Sequence, residues 1–158
     1  MNWQARPKIF TRTTRSPDKT QRLGALVSTC LKPGDCLAFS GVLGAGKTTF
    51  IRGLIQNLIG TSYTVSSPTF NIVSVYDQGP FPLWHADLYR LENKNEWQEL
   101  GLNETQEGVS LIEWPEKAAD FIPRSTLWIQ FEPHSDLLAL TFSGSEEWAK
   151  RLYPLNAD

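Results

Sequence analysis

The chain has few of the residues that form disulfides or structural metal sites, and it has no long apolar run. Its 158 residues include two cysteines, Cys30 and Cys36, and two histidines. Two cysteines cannot form a disulfide framework, and so few thiols and imidazoles disfavour a zinc site. No segment approaches the ~20 apolar residues of a membrane span, and the first residues lack a signal-peptide core. We therefore expect a cytoplasmic protein in a reduced compartment, with no membrane partner.

The chain also lacks an overall positive charge. Its formal net charge is −2 and its pI is about 5.7, which argues against nucleic-acid binding through global charge. Residues 1–22 are an exception, because they contain six basic residues and one acidic residue. We expect residues 1–15 to form a basic, flexible N-terminal arm. Such an arm could contact RNA, an acidic partner or a nucleotide, or lie in solvent as an ordinary charged edge.

A complete phosphate-binding loop occupies residues 41–48 (GVLGAGKT). It fills every fixed position of the G-x-x-x-x-G-K-[ST] pattern, between an apolar run at residues 36–39 and a helical pattern. In such loops backbone N–H groups and a helix N-terminus surround the phosphates. Lys47 would contact the β- and γ-phosphates, and the Thr48 hydroxyl would ligate Mg²⁺. We expect nucleotide to be bound by Gly41, Val42, Leu43, Gly44, Ala45, Gly46, Lys47, Thr48 and Thr49.

Two acidic residues stand where strands are predicted to end. Glu113 directly follows the apolar residues 109–112, and Asp87 ends the run at residues 81–87. A phosphate-binding loop needs a carboxylate for Mg²⁺ or its waters, usually from the end of a neighbouring strand. We therefore expect Asp87 and Glu113 to bind Mg²⁺ together with Thr48. We also expect Lys47, Asp87 and Glu113 to be the catalytic residues. The alternative for each acid is an exposed position at a strand end.

The sequence favours ATP over GTP. Residues 93–96 (NKNE) resemble a guanine-reading N-K-x-D element, but glutamate ends them and no apolar strand precedes them. Residues 87–90 (DLYR) have arginine where a GTPase D-x-x-G element has glycine. His85 either senses phosphate or is held by hydrogen bonds within its strand. Trp114 either packs near the nucleotide or belongs to the core or a partner-facing surface.

The remaining patterns predict one α/β domain over residues 1–158. Helices are expected from Ser16 to Leu31, over residues 95–102 and over residues 145–152, besides the helix after the loop. Strands are expected as two hairpins, within residues 70–87 and residues 127–142, and at residues 109–112. We expect a P-loop NTPase fold, a single-domain three-layer sandwich around a central mixed, partly parallel sheet.

Four segments in this order resemble the TsaE family: residues 43–49 (LGAGKTT), 67–70 (SPTF), 85–91 (HADLYRL) and 111–117 (LIEWPEK). The phosphate loop is shared by many NTPases, whereas the other three segments together are specific to this family. The resemblance covers roughly residues 16–123. It implies a weak bacterial ATPase, needed to form N6-threonylcarbamoyladenosine in tRNA, that acts with TsaB and TsaD.

By the same resemblance, TsaD carries out the transfer chemistry and contact with tRNA is indirect or weak. Thr48, Asp87 and Glu113 would surround Mg²⁺, and residues 67–69 would form a switch-like loop near the γ-phosphate. The chain departs from the family at Val42, which usually is aspartate, and at Ala86, which usually is bulkier. Slow hydrolysis is expected if the missing aspartate orients the attacking water.

Two other functions remain open from the sequence. One is a non-enzymatic interaction module in which ATP orders a surface. The other is a small-molecule kinase, although such kinases usually carry an arginine-bearing lid. After Glu113 the basic residues are few and scattered, namely Lys117, Arg124, Lys150 and Arg151.

Overall fold

The computed structural model describes residues 6–68, 71–102 and 107–156, and within these ranges seven strands form one sheet. The order of the strands across the sheet is β1-β7-β6-β2-β5-β4-β3. Their bounds are β1 Lys8–Thr14, β2 Cys36–Gly41, β3 Val73–Tyr76, β4 Leu83–Asp87, β5 Val109–Glu113, β6 Leu127–Pro133 and β7 Leu138–Ser143.

The centre of the sheet is parallel and its edges are antiparallel. Strand β2 pairs in parallel with both β5 and β6, and β4 pairs in parallel with β5. The β3–β4 and β6–β7 pairs are antiparallel, as both expected hairpins require. The expected mixed, partly parallel sheet is therefore confirmed.

Helices and one 3₁₀ segment cover the sheet. Their bounds are α1 Pro17–Ser28, α2 Lys47–Ile59, α3 Glu96–Glu99, the 3₁₀ segment Pro115–Phe121, α4 Glu146–Arg151 and α5 Tyr153–Asn156. Within the described ranges, none of these helices has the length and apolar character needed to cross a membrane. The second helix begins inside the phosphate-binding loop and ends at Gly60, as its sequence pattern predicts.

The first helix is shorter than its apolar pattern suggests. Ser16 caps its N-terminus, because the Ser16 hydroxyl accepts a hydrogen bond from the backbone N–H of Lys19. At the other end, the hydroxyls of Ser28 and Thr29 donate to the carbonyls of the preceding turn. These side chains take up carbonyl acceptors that a longer helix would use. Cys30 consequently lies in the turn after α1, and not on a helix face.

Two hydrophobic cores lie on opposite faces of the sheet. Because strand side chains alternate, Leu37 and Phe39 of β2 face one core, and Cys36 and Ala38 face the other. The first core is completed by α1, α2, α4 and α5. The second is completed by α3, by the 3₁₀ segment and by the chain after β4. The molecule is a three-layer sandwich, as expected.

The basic N-terminal stretch differs from its expected form as a flexible arm. Strand β1 pairs with β7 and forms one edge of the sheet, while residues 1–5 lie outside the described ranges. Phe10 is buried and stacks on Phe142, with 4.6 Å between ring centroids. Arg12 lies two residues from Phe10 and so shares its face, where its guanidinium donates a hydrogen bond to the Leu155 carbonyl, whereas Lys8 is exposed. A basic residue on the same face as Phe10 obscures the alternation of apolar and polar residues that would indicate a strand in the sequence.

Helices α1 and α2 pack unusually close together, which fixes the helix that carries Lys47 and Thr48. A Cβ atom at Gly24 would lie 2.0 Å from the Phe50 carbonyl oxygen. A Cβ atom at Gly53 would lie 1.9 Å from the Gln21 carbonyl oxygen. Each helix therefore needs glycine where the other helix's backbone passes.

Gly53→Ala should destabilise the protein, although alanine is normally the better helix former. The added methyl group forces the two helices apart, and we expect the free energy of unfolding to fall by roughly 1–3 kcal/mol. Urea unfolding measures the change, with Lys19→Ala at an exposed position of α1 as the control. A Gly53→Ala protein as stable as the wild type would contradict this close packing.

Candidate nucleotide-binding site

Three neighbouring parallel strands end at the same edge of the sheet. Phe39 of β2 is in register with Glu113 of β5, which is in register with Asp87 of β4. Adjacent parallel strands present residues in register on the same face, so both carboxylates lie on one face beside the loop that follows β2. Ligands of open α/β sheets bind at this carboxyl edge. The edge is therefore the candidate site.

The loop after β2 has the backbone geometry that its glycines permit. Gly41, Gly44 and Gly46 all have positive φ, at 143°, 78° and 102°. Gly41 is also crowded, since a Cβ atom there would lie 2.7 Å from the Phe131 carbonyl oxygen. Helix α2 starts directly after Gly46. Its N-terminal N–H groups and positive dipole end lie at the candidate site.

Lys47 is held at the centre of the site. Its ammonium group donates a 2.6 Å hydrogen bond to the Gly41 carbonyl and lies 3.8 Å from the centre of the Trp114 ring. Burial lowers the pKa of Lys47 from its ordinary value, and neighbouring carboxylates, Glu113 foremost, partly oppose this. The contact with the ring is a cation–π interaction. Trp114 thus faces the phosphate-binding loop at the site.

Glu113 links the loop to the interior of the sheet. The Thr48 hydroxyl lies 3.3 Å from Oε1 and 3.5 Å from Oε2 of Glu113. Oε2 also lies 2.6 Å from Nε2 of His85. Glu113 is 3% exposed and His85 is fully buried. The carboxylate is therefore buried and hydrogen-bonded, and not an exposed residue at a strand end.

Asp87 is held by two different hydrogen bonds. The Ser67 hydroxyl donates to Oδ2 at 2.5 Å, and the backbone N–H of Tyr89 donates to Oδ1 at 2.9 Å. Asp87 is 5% exposed. Ser67 belongs to residues 67–69, the segment expected to act as a switch-like loop, of which Thr69 lies outside the described ranges. The loop and the strand end are thus joined by a side-chain contact.

A cavity of about 270 Å³ joins these elements. Of the expected site residues it brings together the two acids and the loop from Leu43 onward, while Gly41 and Val42 lie outside its lining. Its walls are Leu43, Gly44, Ala45, Gly46, Lys47, Thr48, Thr49, Ser67, Asp87, Glu113 and Trp114.

The donor set suits Mg²⁺. The described residues contain no cluster of three or more His, Cys, Asp or Glu side chains able to hold a metal. One hydroxyl and two carboxylates nevertheless line the cavity, at Thr48, Asp87 and Glu113. Mg²⁺ is commonly held by one or two carboxylates together with substrate phosphates. The residues present therefore fit a magnesium ion that arrives with a nucleotide.

A second cavity of about 340 Å³ adjoins the first along the loop. The two cavities share Gly44, Ala45, Gly46 and Thr49. The walls of the second cavity come from the β1–α1 junction (residues 14–17), from Thr20 and from the β6–β7 turn (residues 134–138). Arg15 and Asp136 form an exposed ion pair of 3.1 Å among these residues. Residues 93–96, which resemble a guanine-reading element, line neither cavity.

A family model described as "Threonylcarbamoyl adenosine biosynthesis protein TsaE" matches residues 14–138. The chain belongs to the TsaE family.

Three proteins named tRNA threonylcarbamoyladenosine biosynthesis protein TsaE illustrate the similarity. The Bacillus subtilis protein is 40% identical over 125 residues, which cover 78% of this chain and 77% of the relative. The Treponema pallidum protein is 36% identical over 125 residues, covering 78% and 91%. The Rickettsia conorii protein is 42% identical over 105 residues, covering 66% and 60%.

The fold is also that of a solved structure. The crystal structure of Bacillus subtilis YdiB superposes with a TM-score of 0.77 at 30% identity, covering 94% of each chain. The resemblance noted from sequence motifs is confirmed, and so is the P-loop α/β fold. TsaE proteins are named for the biosynthesis of threonylcarbamoyladenosine in tRNA.

Sequence reasoning missed two contacts of this TsaE-family site. His85 lines neither cavity, and its ring contacts Glu113 on the neighbouring strand β5. The motif at residues 67–69 predicts a loop near the γ-phosphate, but it does not predict the hydrogen bond from Ser67 to Asp87. The signal for His85 was its spacing of two from Asp87, because residues two apart on a strand share a face. Trp114 lies beside Lys47 and also packs against the second hydrophobic core, so both of its alternatives stay open.

Gly41→Ala should damage the loop more than Gly44→Ala. Both positions have positive φ, but a methyl group at Gly44 meets open space. We expect Gly44→Ala to cost about 1–2 kcal/mol of stability. Gly41→Ala should cost roughly 3 kcal/mol, because strain and crowding add. Urea unfolding of both variants measures the difference, and equal losses would contradict the described contact with Phe131.

Proposed function

We propose that this chain is an ATP-binding, slowly ATP-hydrolysing subunit of the machinery that forms N6-threonylcarbamoyladenosine in tRNA. The observation that carries the proposal is the convergence of Lys47, Thr48, Asp87 and Glu113 on one cavity beside the phosphate-binding loop. Membership of the TsaE family supports the tRNA-modification role. TsaB and TsaD homologues are the proposed partners. TsaD would perform the transfer, and tRNA would be contacted only through the complex.

The residues divide the work of binding and hydrolysis. The backbone N–H groups of the loop and the N-terminus of α2 bind the phosphate oxygens. Lys47 leaves its contact with Trp114 or the Gly41 carbonyl to neutralise charge on the β- and γ-phosphates. Thr48, Asp87 and Glu113 would hold Mg²⁺, which when bound neutralises charge that develops on the transferring phosphoryl group. Hydrogen bonds within the protein orient Glu113 and Asp87.

The second cavity is the proposed place for the nucleoside. It continues from the loop on the side of Thr49 and lies between the β1–α1 junction and the β6–β7 turn. A nucleotide whose phosphates occupy the first cavity can extend into it without crossing the sheet. Neither cavity is lined by a Lys or Arg residue after Glu113. No observation therefore favours the small-molecule kinase alternative.

A non-enzymatic, nucleotide-dependent interaction module is a second candidate. The observation in its favour is Val42, an apolar residue that is 63% exposed on the loop, at a position where the sequence resemblance implies aspartate. An apolar side chain cannot orient an attacking water. Binding would survive in this case, because the backbone donors, Lys47 and Thr48 are in place. Hydrolysis and binding must therefore be measured separately.

A pair of variants separates the two candidates. At saturating Mg²⁺, Glu113→Ala should retain ATP binding but lose roughly 100-fold or more in hydrolysis rate. Lys47→Ala should lose about 10- to 100-fold in affinity, because a charged hydrogen-bonding group is removed. Calorimetric titration and phosphate release measure the two effects. Lys94→Ala serves as a control, since Lys94 is exposed and pairs with Asp120 away from both cavities.

Wild-type protein that binds MgATP without any hydrolysis above the Glu113→Ala background would favour the interaction module. Wild-type protein that binds no nucleotide at all would contradict both candidates.

MgATP should bind in preference to MgGTP. The physical reason is that residues 93–96, the segment nearest to a guanine-reading pattern, line neither cavity. Competition of unlabelled ATP and GTP against one fluorescent nucleotide measures the preference. Equal displacement by the two nucleotides at the same concentration would refute it.

A further inference from the structure

His85 is a fully buried polar residue at a core position. It lies on β4 between Leu83 and Asp87. Since these three residues are spaced two apart on the strand, their side chains lie on the same face of the sheet. Leu83 at one end belongs to the hydrophobic core under α2, and Asp87 at the other lines the candidate site. Burying a polar ring there costs free energy unless it is hydrogen-bonded. The ring therefore needs a partner in the interior.

The partner of the His85 ring is the Glu113 carboxylate. Nε2 lies 2.6 Å from Oε2, and the two side chains are 0% and 4% exposed. Nδ1 has no hydrogen-bond partner among the described residues. A proton on Nδ1 would leave a buried donor unsatisfied, whereas a proton on Nε2 is donated to the carboxylate. The geometry therefore favours the tautomer with its proton on Nε2.

The contact constrains Glu113 in a direction that matters for the site. Both carboxylate oxygens lie near the Thr48 hydroxyl, and only Oε2 is also engaged by His85. His85 therefore holds one oxygen of a carboxylate that lies within 3.5 Å of Thr48, the other expected magnesium ligand. Without the ring, the Glu113 side chain could rotate away from Thr48 into other rotamers.

We propose that His85 is a positioning residue, which holds the Glu113 carboxylate toward Thr48 so that a divalent cation arriving with the nucleotide finds its ligand in place. This role rests on the proposed magnesium–nucleotide function of the site. It differs from phosphate sensing, because the ring lines neither cavity. Hydrogen-bond partners of metal ligands commonly contribute about 10- to 100-fold in metal affinity.

Two amide substitutions test the role in the full chain. Glutamine can place an N–H donor near the position of Nε2, whereas the amide of asparagine is one carbon shorter and stops short of Glu113. A fluorescently labelled ADP is titrated in EDTA and then at increasing MgCl₂ for each protein. Mg²⁺ should increase the affinity for labelled ADP, and His85→Asn should raise the Mg²⁺ concentration that gives half of this increase by about 10- to 100-fold. The affinity of His85→Asn for labelled ADP in EDTA should equal that of the wild type. His85→Gln should restore most of the wild-type response.

A structural role for His85 would give a different result. Equal loss of ADP affinity in EDTA and in Mg²⁺ would overturn the proposal, and so would an unchanged Mg²⁺ response in His85→Asn. Glu113→Ala provides the decisive background, because residues that act through one another are not additive. There, His85→Asn should cause no further shift in Mg²⁺ response, and a full additional shift would overturn the proposal.

A measurement on the wild-type protein keeps the proposal testable if a variant does not fold. The chain has two histidines, so a His134→Gln spectrum assigns the remaining imidazole signals to His85. Nitrogen-15 NMR should show a hydrogen-bonded proton on Nε2 of His85. A ring without a proton on Nε2 would overturn the proposal.

The proposed function and the proposed role of His85 would be contradicted by different results. Wild-type protein that binds no labelled ADP under any condition would contradict the proposed function. Wild-type protein that binds ADP more tightly with Mg²⁺, together with an unaffected His85→Asn protein, would contradict only the role of His85.

Discussion

The candidate site depends on the parallel pairing of β5 with β2 and of β4 with β5. These registers set Glu113 and Asp87 level with Phe39, two residues before the phosphate-binding loop begins at Gly41. A slip of one residue in either pairing would turn a carboxylate to the opposite face. Leu83 and Leu111 oppose such a slip, because they pack in the core on the same face as the acids. Hydrophobic burial thereby fixes polar geometry.

Buried polar groups make the site costly to build. Lys47, His85, Asp87 and Glu113 are each no more than 5% exposed. Charges buried in this way are tolerated only when they are paired and hydrogen-bonded. Lys47 has the Gly41 carbonyl and the Trp114 ring, and Glu113 has His85. Such a concentration of polar groups at one edge of an apolar sheet is expected of a functional site.

Local features of the fold could be predicted from the sequence, and long-range contacts could not. The loop and α2 are encoded in contiguous residues, and the two acids could be recognised because each ends an apolar strand. By contrast, β1 shows no clear alternation of apolar and polar residues, because Arg12 shares the face of Phe10, and its partner β7 lies far along the chain. The contact of His85 with Glu113 likewise requires the register of two strands, which no single segment specifies.

A nucleotide-dependent role of this chain in tRNA modification can be tested by measuring threonylcarbamoyl incorporation into tRNA. The reaction would contain TsaB and TsaD homologues, tRNA and a source of activated threonine, with either this protein, its Lys47→Ala variant or neither. We expect multiple-turnover product formation that requires the wild-type protein and is lost with the variant. Equal product in all three reactions would contradict a nucleotide-dependent role for this chain in the modification.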